Sequence, residues 1–193
     1  VVCGVSHDFE CFICGNGKVG YTLAQYLSKD GHDVTIIDRD ERALSRAADT
    51  LDVMCIRGNG ANMRTLLEAD IENCDIIIAV TGNDELNMVC CLAAKQLGAK
   101  YSIARIRDPE YNESLNILQQ ELGIDMAVNP DRGTAVEIGR LLRFPFATGI
   151  ESFAKGRVEI VELRLDKDSK LCGVTLREMY DIVKCKVLVC AVA

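Results

Sequence analysis

Apolar and polar positions alternate along most of the chain in blocks that predict strands and helices in turn. Short apolar runs predict strands, and segments with apolar residues at helical spacing predict helices between them. The predicted strands cover residues 11–14, 34–37, 53–56, 75–80, 101–106 and 125–128. The predicted helices cover residues 19–27, 41–51, 63–69, 85–97, 110–122 and 131–142. This alternation predicts an α/β fold with a doubly wound, parallel, six-stranded Rossmann sheet, most simply in the order 3-2-1-4-5-6.

The pattern changes beyond Gly149. The spacing predicts a strand over 158–165, a polar turn over 166–173, a short helix over 175–180 and another strand over 186–193. Two strands and one helix are marginally stable alone. This segment is therefore expected to be part of a second α+β domain that is incomplete or relies on a partner.

The first predicted strand runs directly into a glycine motif, Gly15-x-Gly17-x-x-Gly20, at the start of the first helix. Gly15 permits a tight turn, Gly17 lets a pyrophosphate approach the backbone, and Gly20 lets the helix pack closely on the strand. The N–H groups at the start of the helix would bind the phosphates. The motif favours nucleotide binding over a merely structural glycine turn.

Asp38 ends the second predicted strand, 18 residues after Gly20. An acidic residue at this place accepts hydrogen bonds from ribose hydroxyls, which favours NAD over NADP. A carboxylate about 4 Å from a 2′-phosphate costs about 1 kcal/mol per charge pair in water and about 4 kcal/mol near a protein surface.

Ligands in such sheets bind beyond the carboxyl ends of the strands, where the strand order reverses. The segments expected to meet the glycine loop and Asp38 there are Gly58 to Gly60, Thr81 to Asp84, and Arg105 late in strand five. Arg105 is either a cation that reaches this crevice or a surface charge on a strand end, and its position favours neither.

Composition narrows the classes of function. The net charge of −7 argues against a surface that binds nucleic acid or anionic membrane. No apolar run is long enough to span a bilayer, and no signal peptide is visible. The ten cysteines lie mostly within apolar patterns and are interpreted as reduced, buried side chains. Cys11-x-x-Cys14 lies within a strand, where residues three apart face opposite sides, so a redox pair is disfavoured.

An NAD-dependent oxidoreductase fragment is the alternative from another class. Such an enzyme needs a proton donor or acceptor and a substrate-binding region. The two histidines, His7 and His32, lie in the N-terminal tail and in the turn after the first helix, away from the crevice. The sequence therefore favours a binding module and gives no catalytic residue and no metal ligand set.

The last helix of the first domain carries an apolar stripe of Ala135, Ile138, Leu141 and Leu142, followed by Phe144 and Phe146. This helix could pack against another subunit or against its own sheet, and the pattern does not distinguish the two.

Several separated segments resemble one known family. GNGKVGYTLAQYLSKDGHDVTIID, AVTGNDELNMVCCLAAKQLGA, IARIRDPEY and ELGIDMAVNPDRGTAVEIGRLL are similar, in this order, to the TrkA-type regulators of potassium conductance, or RCK N-terminal domains. The segment VEIVELRLDKDSKLCGVTLREM resembles the start of the family's C-terminal domain. The resemblance implies an unassigned tail at 1–9, an RCK domain at 10–148 that includes a crossover helix at 131–143, and an incomplete C-terminal domain at 149–193.

The resemblance also implies a function. It suggests a cytoplasmic regulatory subunit, peripheral on the inner face of the membrane, that controls a potassium transporter or channel. A homodimer would assemble into a tetramer or octameric ring, with no nucleic acid and no direct membrane insertion. The implied ligand is NAD or NADH, with ATP or ADP as the alternative. In some relatives an acidic residue matching Asp131 lies near a metal between subunits.

The resemblance assigns the ligand to residues on both sides of the crevice. Gly15 to Val19 would hold the pyrophosphate, Asp38 the ribose, and Arg105 the phosphates. The complete predicted set is Gly15, Asn16, Gly17, Lys18, Val19, Gly20, Asp38, Gly58, Asn59, Thr81, Gly82 and Arg105.

Overall fold

The computed structural model describes residues 9–111, 114–154, 157–184 and 188–192. These residues form two compact units that divide between Gly133 and Thr134. The predicted tail at 1–9 falls almost wholly outside the described residues. The change of domain predicted after residue 148 stays a prediction.

The first unit contains a six-stranded sheet whose strands are all parallel, in the order β3-β2-β1-β4-β5-β6. The strands are β1 (Glu10–Cys14), β2 (Asp33–Asp38), β3 (Met54–Arg57), β4 (Ile76–Ala79), β5 (Tyr101–Arg105) and β6 (Met126–Val128). The helices between them are α1 (Lys18–Lys29), α2 (Glu41–Thr50), α3 (Met63–Glu68), α4 (Asp84–Gln96) and α5 (Leu115–Leu122). Helix α6 (Pro130–Arg143) follows β6, and the division between the two units falls within it. The predicted fold class and strand order are confirmed.

Apolar side chains cover both faces of the sheet. Cys14, Ile77 and Ala79 belong to one core cluster, together with the buried side chains of α3 and α4. Cys11 and Ile78 belong to the other, together with residues of α1 and α2. Alternate residues of a strand point to opposite faces, so unbroken apolar runs such as that of β4 are buried on both sides. Cys11 and Cys14 are therefore separated by the sheet, as predicted.

The eight cysteines in the described part of the chain are free thiols. Burial raises the pKa of Cys11 to about 11 and that of Cys91 to about 12. A hydrogen bond with Cys90 and burial also raise the pKa of Cys14. The reactive form of cysteine is the thiolate, so these buried thiols act as small apolar side chains.

The turn after β3 packs directly on one of these thiols. A Cβ atom at Gly60 would lie 2.5 Å from the Cys14 Sγ atom and 3.1 Å from the Cys90 Sγ atom. Real Cβ atoms do not approach other atoms so closely, and only glycine fits this position without displacing β1 or α4.

The start of α5 differs from the prediction, whereas the glycines predicted to end three helices agree with it. The helix predicted over 110–122 is wrong in its first turn, where Pro109–Tyr111 form a 3₁₀ turn and α5 starts at Leu115. The Asp108 carboxylate accepts the Glu110 backbone N–H at 2.9 Å, which favours a tight local turn over a continuous helix. The predicted glycine stops are confirmed, because Gly31, Gly98 and Gly123 all have positive φ.

The second unit contains an antiparallel pair, β7 (Ala147–Phe153) and β8 (Val158–Leu163), and helix α7 (Leu176–Val183). The sequence predicted β8 and α7 but missed β7, because Gly149 and polar residues interrupt its alternation. The strand predicted over 186–193 is wrong for Leu188–Val192, which form no strand. These residues pair with no described strand, and Leu188 is 88% exposed. The rest of that predicted strand lies outside the described residues.

Candidate functional site

The carboxyl ends of the parallel strands lie side by side at one edge of the sheet. β1 ends at Cys14, β2 at Asp38, β4 at Ala79 and β5 at Arg105, and these strands are neighbours in the order β2-β1-β4-β5. The order reverses between β1 and β4, which are paired in register from Cys11–Ile76 to Cys14–Ala79. The loops predicted to meet therefore lie at the same edge of the sheet.

The three glycines of the first loop have different surroundings. Gly15 has a φ of +105°, and a Cβ atom there would lie 2.9 Å from the backbone of Thr81. A Cβ atom at Gly20 would lie 1.8 Å from the Gly15 carbonyl oxygen. A Cβ atom at Gly17 would meet no described atom within 4 Å. Gly15 and Gly20 are thus required by contacts within the fold, whereas Gly17 borders open space.

Asp38 is joined to the glycine loop through the backbone. Its Oδ2 atom accepts a hydrogen bond from the Asn16 N–H at 2.5 Å, and its Oδ1 atom accepts one from the Asp40 N–H at 2.8 Å. The Asn16 side chain is buried and donates from Nδ2 to the Ala43 carbonyl at 2.8 Å. Each carboxylate oxygen has two lone pairs, so Asp38 keeps the capacity to accept further hydrogen bonds.

The first turn of α1 faces solvent. Gly17 is the N-cap, and within the described residues no side chain caps this helix and no acidic residue lies in its first turn. Lys18 and Val19 are exposed on this turn. Helix N-terminal N–H groups without a capping side chain can bind an anion.

The turn after β3 is held against the end of β2. The Gly58 N–H donates to the Asp38 carbonyl at 2.8 Å. A Cβ atom at Gly58 would lie 2.4 Å from Thr65 Cγ2, so this glycine is also required by packing. The Asn59 side chain accepts the Ala61 N–H at 3.2 Å and shapes its own turn.

A buried asparagine that the sequence did not predict as a site residue organises the loop after β4. Asn87 on α4 is 0% exposed, and its Oδ1 atom accepts from Thr81 N–H at 2.8 Å and from Thr81 Oγ1 at 2.7 Å. Its Nδ2 atom donates to the Arg105 carbonyl at 2.8 Å. The available signal was a polar residue within the otherwise apolar stripe of α4 that also contains Cys91 and Ala94.

Arg105 ends β5 and is partly buried, with its guanidinium against the loop after β4, and its contact with a ligand stays a prediction. Its Nη2 atom donates to the Thr81 carbonyl, and its Nε atom is buried without a hydrogen-bond partner among the described residues. Burial lowers the pKa of Arg105, and the charge of Arg107 lowers it further, while Asp84 and Asp131 oppose this change. Arginine stays charged at neutral pH, so the crevice contains a cation.

Arg107 was not predicted as a site residue, whereas Asp84 ends the segment Thr81 to Asp84 that was expected to meet the glycine loop. The buried Asp84 carboxylate accepts the backbone N–H groups of Arg107 at 2.7 Å and Asp108 at 2.8 Å. The Arg107 Nη2 atom donates to the Gly82 carbonyl at 2.9 Å. This pair joins the loop after β4, which contains Thr81 and Gly82, to the segment after β5.

No metal centre is apparent in the part of the chain that the structure describes, because no three side chains of His, Cys, Asp or Glu are grouped to hold an ion. Asp131 is exposed in the first turn of α6. Its suggested position near a metal between subunits stays a prediction.

Comparison with known proteins identifies relatives over most of the chain. The TrkA-N domain matches residues 11–130. A Trk system potassium uptake protein TrkA homolog of Archaeoglobus fulgidus is 41% identical over 168 residues, which are 87% of this chain and 38% of the relative. The homolog of Methanothermobacter thermautotrophicus is 37% identical over 83% of this chain and 72% of its own length. The chain thus spans about two fifths of the first relative.

Solved structures with a similar fold include RCK domains. The RCK domain of GsuK is 26% identical, with a TM-score of 0.60 over 75% of this chain and 30% of that chain. GsuK structures have also been solved bound to NAD and bound to ADP, with TM-scores of 0.54 and 0.51 at 18% and 19% identity. At this identity the likeness establishes the fold. The match over 120 residues of the domain and the identity to the two homologs establish the family, and the chain belongs to the TrkA-N domain family.

Proposed function

We propose that this chain is the nucleotide-binding regulatory domain of a potassium uptake system and that it binds NAD or NADH. The observation that carries the proposal is the joining of the Asp38 carboxylate to the glycine loop at the carboxyl edge of the sheet. The names of the relatives support the link to potassium uptake.

The glycine loop, the start of α1 and Arg105 are suited to bind a pyrophosphate. Gly17 leaves open space in front of the first turn of α1, where the helix N–H groups and positive dipole end favour an anion. Gly15 and Gly20 close the loop behind it, because a side chain at either position would enter the neighbouring backbone. Arg105 adds a cation on the opposite side, next to Thr81.

Asp38 supports NAD over NADP, because a 2′-phosphate would be repelled by the carboxylate. ATP or ADP is the second candidate ligand, since its adenosine ribose is the same and GsuK has been solved with ADP. The glycine loop and Asp38 would serve both ligands. The loop that contains Thr81 and Gly82 would contact only a ligand long enough to cross the crevice.

Regulation requires that the ligand bind two conformations unequally. A shift from 1:99 to 99:1 needs about 5.5 kcal/mol of differential binding, which several sites in a ring could share. We propose that Asp38, Arg105 and the start of α6 at Asp131 connect ligand identity to the hinge of a dimer. The exposed apolar side chains of α6, among them Ile138 and Leu142, support packing against a second copy.

The proposed membrane partner is a potassium transporter or channel, with the chain at the cytoplasmic face. No helix in the described ranges is both long and apolar enough to cross a bilayer. The proposed homodimer, and its assembly into a tetramer or octamer, would be built on α6.

The crevice gives no support to an oxidoreductase. His32 lies before β2, at the amino end of the strand, where its Nδ1 atom accepts the Phe9 N–H at 3.3 Å. The side chains of Asp38, Asp84 and Asn87 accept backbone N–H groups, and Arg105 donates to a backbone carbonyl. No histidine that could exchange a proton with a substrate is among the crevice residues described above. We therefore propose a binding role without catalysis.

Calorimetric titration of the purified chain with NADH, NAD, NADPH, ATP and ADP tests the proposal. We expect NADH or NAD to bind, NADPH to be excluded, and the absorbance of NADH to stay constant. Preference for ATP or ADP would assign the site to adenine nucleotides instead. Failure of all five ligands to bind would contradict nucleotide binding by this chain, and turnover of NADH would contradict the regulatory role.

A further inference from the structure

Thr81, Asn87 and Arg105 form a closed ring of hydrogen bonds. Asn87 Oδ1 accepts from the N–H and hydroxyl of Thr81, Asn87 Nδ2 donates to the Arg105 carbonyl, and the Arg105 guanidinium donates to the Thr81 carbonyl. The ring joins the end of β4, the first turns of α4 and the end of β5. All three residues are thereby fixed relative to one another.

Asn87 is the fully buried member of the ring, so its side chain cannot contact a ligand. Its side chain is 0% exposed, whereas Thr81 and Arg105 are partly exposed. A buried amide satisfies its hydrogen bonds only in one orientation, since its oxygen accepts and its nitrogen donates. The side chain therefore fixes both the backbone at Thr81 and the backbone at Arg105.

We infer that Asn87 is a positioning residue for the half of the crevice that contains Thr81 and Arg105. This inference rests on the proposed nucleotide binding. The half that contains Gly17 and Asp38 is held separately, through the Asn16 N–H and the Asp40 N–H. A dinucleotide crosses both halves, whereas AMP occupies the half next to Asp38.

The inference predicts a change in preference between two ligands. Asn87→Ala leaves the Thr81 N–H and the Arg105 carbonyl without their partner and releases the loop after β4. We expect the affinity for NAD to fall about tenfold, which corresponds to about 1.4 kcal/mol. The affinity for AMP should change by no more than about twofold, or about 0.4 kcal/mol.

Ser102→Ala is the matched control. Ser102 is also 0% exposed and also bridges elements, because its hydroxyl donates to the Gly123 carbonyl at 3.0 Å. It lies near the amino end of β5, whereas Arg105 ends that strand. Loss of this buried hydrogen bond should lower the melting temperature and leave the ratio of NAD affinity to AMP affinity unchanged.

The experiment measures both affinities by calorimetry for the wild-type chain, Asn87→Ala, Asn87→Ser and Ser102→Ala, each with a thermal melt. The serine variant replaces the amide with a hydroxyl, a smaller polar group, and serves if the alanine variant does not fold. Faster amide hydrogen exchange at Thr81 in either Asn87 variant is expected, because the N–H loses or weakens its bond to the side chain.

A selective loss of NAD affinity in a folded Asn87 variant would support the inference. Equal loss of NAD and AMP, or loss of neither, would overturn it while leaving the proposed function intact. A wild-type chain that binds neither ligand would contradict the proposed function itself, and the inference with it.

Discussion

The Asp38 carboxylate and the Asn16 backbone N–H are 2.5 Å apart and join the end of β2 to the glycine loop after β1. The residue that would select the ribose is thus also a structural part of the loop that would bind the pyrophosphate. A ligand that alters the position of Asp38 therefore acts on the loop directly.

Asp38→Ala should abolish the preference for NAD over NADP. The wild-type chain should favour NAD at least about fivefold, since charge repulsion of about 1 to 4 kcal/mol acts on the 2′-phosphate. The variant also leaves the Asn16 N–H and Asp40 N–H without their acceptor, so some stability should be lost. The ratio of the two affinities, measured by calorimetry, separates selectivity from stability.

Asp33→Ala is the control for this change, because Asp33 is exposed at the opposite end of β2. It should leave both affinities unchanged. Full NAD affinity in Asp38→Ala would remove the basis for its proposed role.

Gly20→Ala should mainly lower stability, whereas Gly17→Ala should mainly weaken NAD binding. The added methyl group at Gly20 would lie 1.8 Å from the Gly15 carbonyl oxygen, so the free energy of unfolding should fall by at least about 1 to 3 kcal/mol. At Gly17 no described atom lies within 4 Å, and stability should change by less than about 1 kcal/mol.

The Gly17 variant should instead weaken NAD binding, because its methyl group enters the space through which a pyrophosphate approaches. Urea unfolding and calorimetry measure the two effects. Unchanged stability in Gly20→Ala, or unchanged affinity in Gly17→Ala, would show that the loop has another conformation.

Asp125 should contribute to stability at neutral pH and lose its contribution in acid. Although burial alone would raise the pKa of Asp125, the Ser102 N–H and the Lys95 ammonium lower it below its usual value. A lowered pKa stabilises the fold above the unfolded value of about 4, and the gain is lost as the pH falls through the folded pKa.

The difference in unfolding free energy between the wild-type chain and Asp125→Asn should therefore be full at pH 6 and shrink below about pH 4. Urea unfolding across this range measures it. A difference that grows as the pH falls would contradict the assigned direction.

Leu142→Glu should prevent association if α6 forms the proposed dimer contact. None of the fourteen described residues of α6 is buried, and Leu142 is 75% exposed. Burying a carboxylate at an apolar contact is unfavourable, so the mass measured by light scattering should fall from dimer to monomer. Ile117→Glu, on the exposed side of α5 at 63% exposure, should leave the mass unchanged.

The strands and their order could be predicted because a parallel sheet covered on both faces needs continuous apolar runs, as in β4. The loops of the crevice could be predicted from the motif around Gly15 and from Asp38. Asn87 could not, because its place among the apolar residues of α4 indicates burial but does not identify the groups that its amide contacts. Its role depends on Thr81 and Arg105, which come close only after folding.

The second unit was predicted less well. An antiparallel strand such as β7 depends on pairing with β8, and Gly149 weakens its local signal. The apolar run at Leu188 to Val192 predicted a strand that lacks a described neighbour to pair with. Local pattern was sufficient for the parallel strands, most clearly for buried ones such as β1 and β4, and insufficient for β7, which depends on pairing.

The contact between Gly60 and Cys14 makes the residues that this chain can accept at the two positions depend on each other. A methyl group at position 60 would overlap the Cys14 sulfur, at 2.5 Å, so the two positions share one small volume. A larger residue at 60 would need a smaller residue at 14 and an adjustment of Cys90, whose sulfur would lie 3.1 Å from the added methyl group. Substitutions at these two positions, 46 residues apart in the chain, should therefore be inherited as pairs.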